Sequence, residues 1–124
     1  MDIASVKLNV LVIGGGRMGK AFIKGLSHST NHNIYLAETN IERKNELKND
    51  FDISISNSEN QIKDFLSLSD IIILCVKPQT LKLLQDDLKN KISEKQTVLS
   101  IMAGISTEKL CSSLNIENSV RIMP

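Results

Sequence analysis

Short apolar runs alternate along this chain with longer stretches whose apolar residues recur every three or four positions. Leu8 to Ile13 is nearly all apolar, and Met18, Phe22, Ile23 and Leu26 follow at helical spacing. The pattern predicts a strand over Lys7–Ile13 and a helix from Arg17 to about His28. Further strands are predicted at Ile34–Ala37, Ile53–Ile55, Ile71–Val76, Thr97–Met102 and Val120–Met123. Between them come a helix capped by Thr39 or Asn40 and running past Leu47, and one starting at Asn57 or Ser58 with Ile62, Phe65 and Leu66 on one face. Another helix covers Gln79–Leu88, and a short one after Ser106 turns Leu110 and Leu114 inward. Lys77-Pro78 ends the fourth strand, because proline disfavours helix in the residue before it yet suits a first helical position. The unbroken apolar run Ile71–Val76 implies a strand covered on both faces, as in a parallel sheet between helices. Strands alternating with helices in this way predict an α/β fold with a doubly wound, mainly parallel sheet.

Composition narrows the picture without redirecting it. The 124 residues suffice for one domain. With 41% hydrophobic and 23% charged residues the chain is expected to fold rather than remain disordered. Its net charge is +1 with acids and bases interspersed, so no basic face suggests nucleic acid or an anionic membrane as partner. Ile71–Val76 is too short to span a bilayer, and Met1 to Lys7 lacks the features of a signal peptide, which leads us to expect a cytoplasmic protein. Cys75 and Cys111 have no metal-ligand or C-x-x-C spacing and are read as reduced, structural thiols, with no metal site expected.

The chemistry is concentrated where the first strand meets the first helix. Gly14, Gly16 and Gly19 stand at the spacing G-x-G-x-x-G, directly after an apolar strand and opening a helix, the context that makes this fingerprint specific for dinucleotides. Gly14 permits the tight turn, Gly16 lets the backbone approach a pyrophosphate, and Gly19 lets helix and strand pack closely. The unpaired N–H groups of the helix then face the phosphates. Glu38 follows about twenty residues on, at the end of the second strand, where such Rossmann-like folds place an acid that accepts hydrogen bonds from the adenosine ribose. Ligands of these sheets bind beyond the carboxyl ends of the strands. The glycine turn, Glu38 to Asn40, Cys75 to Pro78 and Met102 to Gly104 are therefore expected to converge on one molecule. No catalytic constellation accompanies them. His28 and His32 read as surface residues of a polar connection, Asp70 as a turn residue at the far end of the sheet, and Asp86 and Asp87 as solvated helix positions.

Cys75-Val76-Lys77-Pro78-Gln79, Ser100-Ile101-Met102-Ala103-Gly104-Ile105 and Val120-Arg121-Ile122-Met123-Pro124, taken with the glycine turn, resemble the amino-terminal domain of pyrroline-5-carboxylate reductase, over essentially the whole chain. That resemblance implies NADPH or NADH as cofactor and hydride transfer to the imine carbon of 1-pyrroline-5-carboxylate, giving L-proline in proline biosynthesis. Carried over, Ile13, Gly14, Gly15, Gly16, Arg17, Met18 and Gly19 would hold the pyrophosphate. Glu38, Thr39 and Asn40, with help from Asn57, would lie at the adenosine ribose. Cys75, Val76, Lys77 and Pro78, together with Met102, Ala103 and Gly104, would shape the nicotinamide-ribose site. Lys77 would offer a cation or only its backbone.

Three departures from the family pattern carry expectations of their own. Glu38 stands where many relatives have a small polar residue, and its carboxylate would repel a 2′-phosphate, so NADH is expected over NADPH. The competing feature is Arg43, which could swing over that phosphate with Lys44 nearby. Arg17 could add a cation near the pyrophosphate. The family continues past this point into a helical domain that forms the dimer and supplies most of the substrate site; the chain given stops at Pro124 and is expected to supply the cofactor half without completing the reaction alone. A homo-oligomer is expected where the helical domain is present. The alternatives are a free-standing NAD(P)H-binding module without turnover and the cofactor domain of another small-acid dehydrogenase.

Overall fold

The computed structural model describes residues 7–29, 32–56, 59–117 and 119–122. Strands and helices alternate as β1 (Asn9–Ile13), α1 (Arg17–Ser29), β2 (Asn33–Ala37), α2 (Ile41–Asp50), β3 (Ser54–Ile55), α3 (Glu59–Leu68), β4 (Ile71–Leu74), α4 (Pro78–Leu88), β5 (Thr97–Ser100), α5 (Thr107–Leu114) and β6 (Ser119–Arg121). The strands form one sheet in the order β3-β2-β1-β4-β5-β6, and every pairing is parallel. The chain winds outward from β1 to β3, crosses back to pair β4 with β1, and winds outward again to β6. The strand order thus reverses between β1 and β4.

Two cores explain why β1 is apolar at successive positions. Val10 and Val12 pack with Ile23 of α1, Leu47 of α2 and Ile73 of β4 on one face. Leu11 and Ile13 pack on the other with Phe65 and Leu66 of α3, Leu81 and Leu88 of α4, and Leu110 and Leu114 of α5. Alternate side chains of a strand point to opposite faces, so a strand covered on both sides needs an unbroken apolar run. Lys20 Nζ donates to Glu46 Oε1 at 2.5 Å, which ties α1 to α2. No helix among the described residues is long and apolar enough to cross a membrane.

Element boundaries differ from the periodicity where neighbours intervene. β1 starts at Asn9 rather than Lys7, because the N–H of Leu8 donates to His32 Nδ1 at 3.0 Å instead of joining the ladder. His32 is accordingly half-buried, not the surface residue its polar surroundings suggested. β4 ends at Leu74 rather than Val76: Cys75 N–H still donates to Ile13 at 2.8 Å, but beyond Ile13 the partner strand turns away at Gly14. β5 ends at Ser100 rather than Met102, since Ser100 Oγ accepts from Met102 N–H at 3.2 Å and bends the chain out of the sheet. β6 begins at Ser119, one residue before the predicted strand. Of the two expected caps of α2, Asn40 does the work, its side chain accepting from Arg43 N–H. Pro78, not Gln79, is the first residue of α4. The predicted helix starts Asn57 and Ser58, and the strand end Met123, lie outside the described residues.

At the end of the sheet away from the glycine turn, Asp70 is structural. Its Oδ2 accepts from Asn9 N–H at 2.8 Å, and its carbonyl accepts from Thr97 N–H at 3.0 Å, fixing the starts of β1, β4 and β5 together.

Candidate functional site

The carboxyl ends of β1, β2, β4 and β5 open onto a cleft of about 620 Å³ at the point where the strand order reverses. Its floor is the turn from β1 into α1. Gly14 has φ +104°, and a Cβ there would stand 2.5 Å from the Cys75 carbonyl oxygen, so the turn is closed to any side chain. A Cβ on Gly19 would collide with the Gly14 carbonyl, which is why α1 can start so close to β1. Gly16 differs: the nearest group to a Cβ there, beyond its chain neighbours, would be the Arg43 guanidinium at 3.7 Å. The backbone at Gly16 therefore presents itself to the cleft with only a long, flexible side chain above it.

Glu38 joins the β2 end to this floor. Its Oε1 accepts from Gly15 N–H at 2.8 Å, and its Oε2 accepts from Thr39 N–H at 2.8 Å and Asn40 N–H at 3.0 Å. Arg43 Nη1 stands 3.6 Å from Oε1. The side chain is 8% exposed. Burial works to raise its pKa, but hydrogen bonds from the N–H groups of Asn40, Gly15 and Thr39, with the Arg43 charge, outweigh it and hold the carboxyl below its ordinary value. Glu38 is thus an ionised wall of the cleft and also the clamp that fixes the glycine turn, a second role that position in the sequence did not reveal.

The opposite wall comes from the ends of β4 and β5. Cys75, Val76, Lys77 and Pro78 line it with Ile101, Met102 and Ala103. Burial pushes the Cys75 thiol up to about 12, so at neutral pH it is an uncharged filler and no nucleophile. Lys77 is exposed and precedes α4 without a side-chain capping bond.

The four expected segments therefore converge. Ile13, Gly14, Gly16, Arg17, Met18, Glu38, Thr39, Cys75, Val76, Lys77, Pro78, Met102 and Ala103 all line the cleft. Gly15, Gly19, Asn40 and Gly104 do not: Gly15 and Gly19 are buried beneath the turn, Asn40 caps α2, and Gly104 lies beyond the bend after β5. Asn57 lies outside the described residues. Ala37, Ile62, Thr80, Leu84 and Ile101 line the cleft without having been singled out. Thr80 and Leu84 had a readable signal, being four apart on the helix that Pro78 opens. Ile62 had none, since its spacing fits the core equally well.

Comparison with known proteins agrees with this geometry. Residues 9–104 match the family described as NADP oxidoreductase, coenzyme F420-dependent. The chain is 28% identical over 129 residues to the pyrroline-5-carboxylate reductase of Arabidopsis thaliana, covering 100% of this chain and 45% of that protein. It is 34% identical over 117 residues to the pyrroline-5-carboxylate reductase of Methanosarcina acetivorans, covering 90% and 42%. The 1-pyrroline-5-carboxylate reductase structure from Streptococcus pyogenes superposes with a TM-score of 0.70 at 29% identity, over 95% of this chain and 43% of that one. The chain thus spans less than half the length of the relatives it matches. A parallel sheet with a glycine turn at its switch point, and a family match running from β1 to the bend after β5, place the chain in the NADP oxidoreductase, coenzyme F420-dependent family, with its likeness there to the amino-terminal part of pyrroline-5-carboxylate reductases.

Proposed function

We propose that this chain is the cofactor-binding part of a pyrroline-5-carboxylate reductase, which reduces 1-pyrroline-5-carboxylate to L-proline with NAD(P)H. The observation that carries the reading is the Glu38 clamp on the glycine turn at the mouth of a cleft with exposed backbone at Gly16. This arrangement suits a dinucleotide. The turn and α1 would hold the pyrophosphate, Glu38 the adenosine ribose, and the wall from Cys75 to Pro78 and Ile101 to Ala103 the nicotinamide end. The nicotinamide supplies the hydride for the imine carbon, while the imine nitrogen keeps or takes up one proton. The part of these residues is to bind and orient the cofactor and to shield one side of it from water.

NADH is the favoured cofactor in this reading, because Glu38 is ionised and a 2′-phosphate beside it meets like charge. The substrate site and the contacts between subunits would belong to a helical domain of the kind found in the family. Two unpaired thiols suit a reducing compartment, in keeping with a cytoplasmic location.

Calorimetric titration of the purified chain with NADH and NADPH, followed by a proline-forming assay, tests the proposal. Binding of NADH that Glu38→Ala weakens supports it. Binding of neither cofactor sinks it, and binding with no turnover even when the chain is joined to a relative's helical domain would favour a cofactor-binding module instead.

A further inference from the structure

A second concavity lies outside the cleft, where α2 runs beside the outer edge of the sheet. Ile41, Lys44, Asn45 and Lys48 of α2 line it with Ile53 and Ile55 at β3, around a groove of about 290 Å³. Positions 41, 44, 45 and 48 recur every three or four residues and so form one continuous face of the helix. The core is packed from another face, by the buried Leu47, whereas Ile41 is 71% exposed. Ile41 and the half-buried Ile53 and Ile55 make an apolar patch that the fold itself leaves uncovered.

The charges of α2 are sorted by direction. Arg43 lines the cleft, while Glu46 accepts a hydrogen bond from Lys20 of α1 and Asp50 adds its field to the same lysine. Lys44 and Lys48 turn into the groove, so the help expected of Lys44 at the cleft is not available from there. Among the described residues neither lysine has an ion-pair partner, and none of the residues lining the groove is acidic. The groove thus joins an apolar patch to two uncompensated positive charges.

The edge strand adds a third feature. β3 is the last strand on this side of the sheet, and it pairs inward with β2. Ser56 N–H donates to the Leu36 carbonyl at 2.9 Å, and successive residues of a strand turn their backbone groups to opposite sides. Ile55 therefore directs its N–H and carbonyl away from β2, along the groove. The spacings agree as well. Four residues of helix rise about 6 Å, and alternate side chains of a strand stand about 6.6 Å apart, so acids two positions apart on a strand match Lys44 and Lys48.

We propose that this groove takes an extended, acidic segment of another protein, laid beside β3 as a further strand. Two acidic side chains at alternate positions meet Lys44 and Lys48, and an apolar one meets Ile41. A second copy of this chain fits less well, since it brings its own lysines to the same seam. The groove is separate from the cleft, so the inference does not depend on what the cleft binds. The contact is small and partly electrostatic, which makes it weak, salt-dependent and suited to transient capture.

The test is fluorescence anisotropy with the 124-residue chain and a labelled peptide that carries leucine, glutamate, glutamate and leucine at alternate positions with threonine between them. That pattern reads the same in both directions. The wild type is expected to bind it with a Kd below about 1 mM, and to bind a peptide with lysine in place of glutamate at least about tenfold less tightly. The double variant Lys44→Glu, Lys48→Glu, shown by a thermal melt to be folded, is expected to reverse that order and prefer the lysine peptide. Methylating the amides of one alternate set in the glutamate peptide should abolish binding, and methylating the other set should not, because only one edge of an added strand meets β3. Failure to bind at about 1 mM would overturn the proposal, as would an order of preference indifferent to the two lysines or tolerance of both methylated sets. Binding of phosphatidylserine vesicles without binding of the peptide would overturn it in favour of a membrane-facing surface. Self-association of the wild type through this face, seen by sedimentation and removed by Ile41→Glu, would overturn it in favour of a second copy.

Discussion

The two ends of the cleft are held in place by different means. At the β1–β2 end, Gly14 N–H donates to the Ala37 carbonyl at 2.9 Å, Gly15 N–H to Glu38 at 2.8 Å, and Arg43 N–H to Asn40 at 3.0 Å. At the β4–β5 end the bonds are mixed, Cys75 N–H to the Ile13 carbonyl at 2.8 Å but Met102 N–H to Ser100 Oγ at 3.2 Å and Ile101 N–H to the Leu74 carbonyl at 3.4 Å, and Lys77, Pro78 and Ala103 are exposed. One end is a pre-shaped polar cradle whose geometry is set by interlocking short bonds. The other is a looser apolar wall, the sort of surface that adapts to what is placed against it.

Substitutions at the cradle should therefore cost most. Gly19→Val drives a side chain into the Gly14 carbonyl and is expected to remove about 3 kcal/mol or more of stability along with cofactor binding, as read by urea melts and titration. Glu38→Gln comes next. It keeps the shape but loses the charge that three N–H groups address, at a cost of about 1–3 kcal/mol at neutral pH. The pH dependence has a definite sign. The folded carboxyl is held below its unfolded value, so its contribution is complete above about pH 4.5 and lost as pH falls through the lower, folded value. Melts at descending pH should show a steeper acid loss for wild type than for Glu38→Gln; parallel curves would mean that Glu38 does not clamp the turn.

Smaller effects are expected further out. Asn40→Ala removes the cap of α2 and should cost about 1 kcal/mol in the same melts. At the apolar wall, Lys77→Ala should change stability by less than about 0.5 kcal/mol, since the side chain is exposed and caps nothing. A loss comparable to that of Glu38→Gln would show that the two ends are equally rigid. Cys75, with its thiol pushed up to about 12, should resist iodoacetamide in the folded chain at neutral pH, as followed by mass spectrometry.

The cradle was legible in the sequence because its parts are local. An apolar run, three glycines at fixed spacing and a change from strand to helix periodicity occupy one continuous stretch, and the position of Glu38 follows from the length of one βα unit. What escaped depends on side-chain and backbone contacts that the hydrophobic pattern does not carry. The ends of β4 and β5 are decided by where β1 turns and by the Ser100 hydroxyl, neither of which alters the hydrophobic pattern of those strands. The dual engagement of Glu38 and the opposite facing of Arg43 and Lys44 are matters of side-chain direction. Adjacent residues on a helix point about 100° apart, so the sequence, which put Lys44 near Arg43, did not show that Arg43 lines the cleft while Lys44 lines a separate groove.

The crossover that places β4 beside β1 also has a kinetic consequence. Asn9 meets Asp70 across 61 positions of sequence, while β1 and β2 are joined by a single helix. Forming the β1–β4 pairing closes the longest loop of the sheet and so carries the larger entropic cost during folding. The cleft lies on that seam, and in a chain whose halves have not yet met it does not exist. A ligand that fills it can be bound only by the assembled sheet, and should therefore slow unfolding more than it speeds refolding.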